Sequence, residues 1–118
     1  MKILYKNSKI EKLCTNEKEA IRKVGHEVAT KLFAVLNLLK ASKNLKDILV
    51  LPRYKLHALK GNREGEYSIY LGKTTGFRLI LIPLDENEKV ITSNDMSIYT
   101  ISVCVEIVEV SKHYEWND

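Results

Sequence analysis

The sequence has little of what breaks or staples a chain: five glycines, two prolines, two cysteines and one tryptophan in 118 residues. So few glycines and prolines exclude collagen-like and low-complexity architectures. Cys14 and Cys104 have no second Cys or His at metal-ligand spacing, which excludes a zinc ribbon and a disulfide scaffold. They read as two free, buried thiols in a reducing compartment. No apolar run approaches the length of about 18 residues that a membrane-spanning helix needs. The opening Met1–Lys6 carries no apolar signal-peptide core, so the expected location is the cytosol, away from membranes. A P-loop, GxGxxG, GxSxG and HExxH are all missing.

What is present is ordinary globular material, 45% hydrophobic and 29% charged, enough for one core. A single domain over 1–118 is expected. The net charge of +4 hides an asymmetry. Residues 1–60 hold 14 Lys and Arg against 5 Asp and Glu, and residues 61–118 hold 5 against 10. A basic half fits a polyanionic partner, usually nucleic acid. It equally fits a solvated lysine surface on helices.

The periodicity changes midway. Ser8-Lys-Ile-Glu11 fits a capping box, opening a short helix that ends near Cys14. Asn16-Glu-Lys-Glu19 fits a second helix start. Apolar residues then recur at Ile21, Val24, Val28, Leu32, Val35, Leu36 and Leu39, the spacing of an amphipathic helix. Gly25 interrupts it and leaves a longer piece over residues 26–41. A helical turn at 44–49 precedes Pro52. Beyond lie strand patterns: a short run at 56–59, a turn at 61–65, strands at 66–71 and 77–82, a polar stretch at 83–96, and one long strand at 98–110. The order is strand, helices, then three or four antiparallel strands, an α+β domain with helices on one sheet face.

The densest polar cluster runs from Arg53 to Arg63. Alternation places Lys55, His57 and Leu59 on one side of a strand, with Lys60 and Arg63 in the turn that follows. Arg78 adds a cation pointing away from Phe77 and Leu79. His113 and Tyr114 follow the last strand. Tyr5, Tyr67 and Tyr70 read as packing residues. The polar set suits RNA cleavage, in which the 2′-OH is the nucleophile. Such an enzyme must take that proton, give one to the leaving 5′-oxygen and stabilise charge on phosphorus. Histidine transfers protons near neutral pH. Arginine grips phosphate with two hydrogen bonds, and lysine is a point charge. An aromatic ring stacks on an unpaired base. Each of these residues also has a bland reading, as a solvated strand residue or a cap on the sheet.

Several segments together resemble a known family. They are Tyr5–Cys14, Leu51-Pro-Arg-Tyr-Lys-Leu-His-Ala-Leu-Lys-Gly-Asn-Arg-Glu-Gly65, Tyr67-Ser-Ile, Gly76-Phe-Arg-Leu-Ile80 and Val105–Tyr114. The chain resembles HigB-type toxins, the plasmid maintenance system killer proteins of the RelE/ParE toxin superfamily. The resemblance implies helices packed on a mainly antiparallel sheet. It implies a type II toxin that cuts messenger RNA, commonly on the ribosome, with no metal or cofactor. It implies a helix-turn-helix, HigA-like antitoxin, through which alone the pair reaches operator DNA. The family's roles fall on His57, Lys60 and Arg78 as catalytic residues, while Lys55 and Arg63 of the polar cluster are expected to bind substrate. They fall loosely on His113 and Tyr114, either of which serves as proton donor. Many relatives end in the order acidic-Tyr-His, whereas this chain reads Lys112-His113-Tyr114. Two other readings stay open. One is non-enzymatic inhibition of DNA gyrase, as in the superfamily's ParE branch; the other is plain RNA binding.

Overall fold

The computed structural model describes residues 1–93 and 95–112. The order is β1 (Lys2–Tyr5), α1 (Ser8–Thr15), α2 (Glu17–Val24), α3 (His26–Ala41) and α4 (Lys46–Leu49). It continues with a 3-10 turn (Pro52–Tyr54), β2 (His57–Ala58), a second 3-10 turn (Gly61–Arg63), β3 (Tyr67–Tyr70), β4 (Phe77–Leu84), α5 (Ile98–Ile101) and β5 (Cys104–Lys112). The α+β class expected from the sequence is what is observed. The sheet runs β1-β5-β4-β3-β2, antiparallel except for β1 beside β5.

The helices start and stop where local chemistry demands. Asn7, not Ser8, caps α1: its Oδ1 accepts from the Ile10 backbone N–H at 2.9 Å. The expected box was therefore one residue late, because an Asn side chain caps as well as Ser. Asn16 caps α2 as expected, accepting from the Glu19 N–H at 3.0 Å. Gly25 ends α2 and begins α3 with φ 88° and ψ 165°, a conformation close to glycine-only. No helix is long and apolar enough to cross a membrane among the described residues.

The core lies between α3 and one sheet face. Val28, Leu32, Val35, Leu36 and Leu39 are buried against Ile69, Leu71, Leu79, Leu81, Val105 and Ile107. Each such side chain contributes roughly 1.5–3 kcal/mol by leaving water. Tyr67 packs edge-on against Tyr99 at 5.8 Å, and both hydroxyls are pushed up by burial. Cys14 and Cys104 are free and buried as expected, and burial pushes the Cys14 thiol up to about 12.

The long strand expected at 98–110 is split. Ile98–Ile101 form a helical turn, and the Ser102 hydroxyl donates back to the Ile98 carbonyl at 2.6 Å. Tyr99 and Ile101 thus leave the face they were expected to share, and Ile101 is exposed. Within β5 a bulge sits opposite Ile80 and Leu81: Ile80 pairs with Glu109, but Leu81 pairs with Ile107. The extra residue, Val108, reverses the alternation. Ile107 faces the core, whereas Glu109 and Ser111 face away. Strand β4 runs two residues beyond the expected 82, through Pro83, where β3 has ended and a proline costs no ladder bond.

Gly25→Ala is expected to lower stability by about 1–3 kcal/mol, read as a shift of the urea midpoint. A Cβ there meets nothing within 4 Å, so the loss is purely conformational. An unchanged midpoint removes Gly25 as the required break between α2 and α3.

Candidate functional site

The helices cover one sheet face. Cross-strand register shows what stands on the other, because directly paired residues share a face. His57 lies opposite Ser68, Ser68 opposite Ile80, and Ile80 opposite Glu109. One step along the strands, Tyr70 lies opposite Arg78, and Arg78 opposite Ser111. The open face thus carries two polar rows. His57 and Arg78 are two strands across and two residues along, roughly 12 Å between α-carbons.

Arg78 is only 5% exposed. A buried guanidinium needs partners, and Tyr70 supplies two contacts. The Arg78 Nη2 donates to the Tyr70 hydroxyl at 2.9 Å, and its guanidinium carbon lies 4.4 Å from the ring centroid. The Lys55 ammonium approaches the same ring at 5.2 Å. Lys55 adopts φ 47°, the left-handed region, at the end of the 3-10 turn. Tyr70, read from sequence as packing, therefore belongs to this face, and Tyr67 and Tyr5 pack as expected. The signal for Tyr70 was its register with Arg78, which alternation alone cannot give.

His57 is oriented by its backbone neighbour. Its Nδ1 lies 2.7 Å from the Lys55 carbonyl. A carbonyl only accepts, so Nδ1 donates to it, which fixes the orientation of the ring. Beneath it Ser68 is fully buried, and its hydroxyl makes no hydrogen bond among the described residues.

Arg63 spans the face. Its Nε donates to Glu66 at 3.0 Å, and its Nη2 donates to Glu109 at 2.7 Å. Burial works against the charge on Arg63, but the Glu109 and Glu66 carboxylates outweigh it and raise its pKa. Burial likewise raises Glu109, yet the Ser111 hydroxyl and Arg63 together hold it below the usual carboxylate value. The β5 bulge makes this clamp possible by turning Glu109 to the open side.

The remaining expected residues are placed as follows. Leu59 does not join Lys55 and His57 at the surface. It is buried, its N–H donating to Glu66 at 2.9 Å. Lys60 is exposed and sits at the start of the second 3-10 turn, beyond the end of β2. His113 and Tyr114 lie outside the described residues. The acidic turn Asp85–Glu88 follows the far end of β4, roughly 23 Å along the strand from Arg78.

The clamp predicts a pH dependence. A carboxyl held below its ordinary value of 4.5 stabilises the fold fully above that value. The contribution fades as pH falls through the lower folded-state value. Glu109→Gln should therefore cost about 1 kcal/mol near neutral pH and much less at about pH 3, from urea midpoints. Equal losses at both pH values exclude the ion pair as the source.

No family model matches the sequence, and neither does any curated protein. Among solved structures the chain is similar to a YoeB/ParE toxin from Agrobacterium tumefaciens, with a TM-score of 0.55 and 14% identity. The likeness covers 97% of this chain and 100% of that one. The helices and sheet of this chain thus share the fold of that toxin.

Proposed function

We propose that this protein is the toxin of a type II toxin–antitoxin pair and that it cuts messenger RNA on its open sheet face. The observation that carries the reading is the pairing of His57, whose Nδ1–H is fixed on a backbone carbonyl, with Arg78 anchored on Tyr70 across the same face. The toxin fold supports the same reading.

The chemistry follows from the groups. The 2′-oxygen attacks the adjacent phosphorus, and the bond from phosphorus to the 5′-oxygen breaks. Products are a 2′,3′-cyclic phosphate and a free 5′-hydroxyl. His57 Nε2 accepts the 2′-OH proton. Arg78 offers its guanidinium to the phosphorane, whose negative charge peaks in the transition state. Its anchoring on Tyr70 means little reorganisation is needed at that moment. His113 or Tyr114 donates the proton to the leaving oxygen. Lys55 and Lys60 supply positive charge beside the strand, and Arg63 holds the turn that bears Lys60 while remaining within reach of a phosphate. The ribosome presents the message as an unpaired strand, and a HigA-like helix-turn-helix antitoxin covers the toxin and carries it to operator DNA.

His57→Gln is expected to lower cleavage of translated messages by about 10²–10⁴ with an unchanged melting temperature. Arg78→Lys keeps the charge but loses the planar fork, and a drop of about 10²–10³ is expected. Primer extension on messages from expressing cells reads both. Growth arrest that persists in His57→Gln with intact messages overturns the nuclease reading and favours a non-nucleolytic target such as DNA gyrase.

A further inference from the structure

A cleft opens beside the site, at the end of the sheet where β3 turns into β4. Its volume is about 280 Å³, and its lining includes Lys31 from α3, Arg53 and Tyr54 from the first 3-10 turn, Tyr70, Gly72 and Lys73. A smaller hollow of about 120 Å³ continues it past Tyr70 and Lys73 to Phe77 and Arg78. Tyr70, Gly72 and Lys73 line both, so the two hollows adjoin. No carboxylate lines either hollow. Lys31, Arg53 and Lys73 form no ion pair among the described residues.

The cleft is held in shape. The Thr75 hydroxyl donates to the Leu71 carbonyl at 2.7 Å and accepts from the Phe77 N–H at 3.1 Å, which fixes the loop bearing Lys73. Gly72 has φ +96°, and a Cβ there would meet the Lys31 side chain at 2.5 Å. The bare backbone of Gly72 leaves room for the Lys31 arm to pass over it beside the cleft. Arg53 stacks on Tyr54 at 4.9 Å and donates to its hydroxyl at 3.2 Å.

We infer that this cleft is a second RNA subsite, which takes one unpaired nucleotide of the strand whose phosphodiester lies between His57 and Arg78. The inference rests on the nuclease reading for the direction of the strand. Its own support is the chemistry of the lining. Uncompensated cations attract phosphate, and tyrosine rings accept an unstacked base. The volume, just below the usual range for small-ligand pockets, suits one nucleotide and shuts out a duplex. The path from Arg78 makes the occupant a neighbour in the same strand. The subsite contributes grip on the substrate rather than proton transfer.

The test uses 2′-O-methyl RNA, which lacks the nucleophile and so reports binding alone. Fluorescence anisotropy compares a trinucleotide with an oligomer of about nine nucleotides. Arg53 and Lys73 are exposed, so Arg53→Gln with Lys73→Gln should leave the fold and its melting temperature intact. The double variant should bind the longer oligomer about tenfold more weakly and the trinucleotide as wild type does. Its log–log salt slope should fall by about 1.4, at 0.7 for each lost phosphate contact. Tyr54→Leu should weaken the longer oligomer with an unchanged slope. Wild-type affinity and slope in the double variant overturn the subsite. So does loss of binding to an acidic Glu/Asp peptide while RNA binding stays intact, which makes the cleft a protein-docking surface. Primer extension on cellular messages separates the two readings. If messages stay intact in cells expressing the wild type while the cleft variants lose the longer oligomer, the subsite stands and the nuclease assignment falls. If cleavage needs His57 and the cleft variants bind normally, the nuclease stands and the subsite falls.

Discussion

A nearly buried guanidinium in a strand of aliphatic residues organises one whole side of this molecule. Arg78 sits among Phe77, Leu79, Ile80 and Leu81 on β4, where a charge without partners would be costly. Tyr70 answers that demand with its hydroxyl and its ring together. Fixing Tyr70 in turn fixes what touches it: the ammonium of Lys55, and the mouth of the hollow under the β3–β4 loop. The His57 ring is tied to the same segment through the Lys55 carbonyl. One desolvated cation is thus linked, through Tyr70, to both the Lys55–His57 segment and the β3–β4 loop.

The opposite face supplies the rigidity that makes this possible. Helix α3 buries one apolar stripe against β3, β4 and β5, and the sheet cannot flex without opening that core. The other face also buries Ser68, Ile80 and Arg78. It is held by polar contacts, the Arg63 clamp above all, which crosses from the second 3-10 turn to β5. The apolar core and the candidate site thus sit on opposite sides of one layer of strands.

Much of this was legible in the residues. Helix α3 falls at 26–41 because Gly25 and the 3.6-residue apolar period agree. Cap chemistry marked α2, although Asn7 took the role given to Ser8. The strands at 67–70 and 77–84 followed alternation. Ile98–Ile101 did not, since a short run of apolar and β-branched residues fits either period, and Ser102 decided it by bonding back to Ile98. The site was half legible. His57 and Arg78 stood out as chemistry-bearing types. Tyr70 and Glu109 did not, because their roles come from cross-strand register and from a bulge at Val108. The bulge did leave a trace, in apolar residues at 105, 107 and 110 where strict alternation would have put 109.

The parallel pairing of β1 with β5 has a consequence for biogenesis. Lys2 pairs with Cys104, and among the described residues β1 has no other neighbour in the sheet. While residues 1–103 are being translated, the first strand has nothing to dock on and β4 lacks a partner along one edge. Contacts of such long sequence separation form late. A nascent chain therefore carries its basic helices well before Glu109 and Ser111 arrive to complete the polar face, and the ribosome making it meets an unfinished surface.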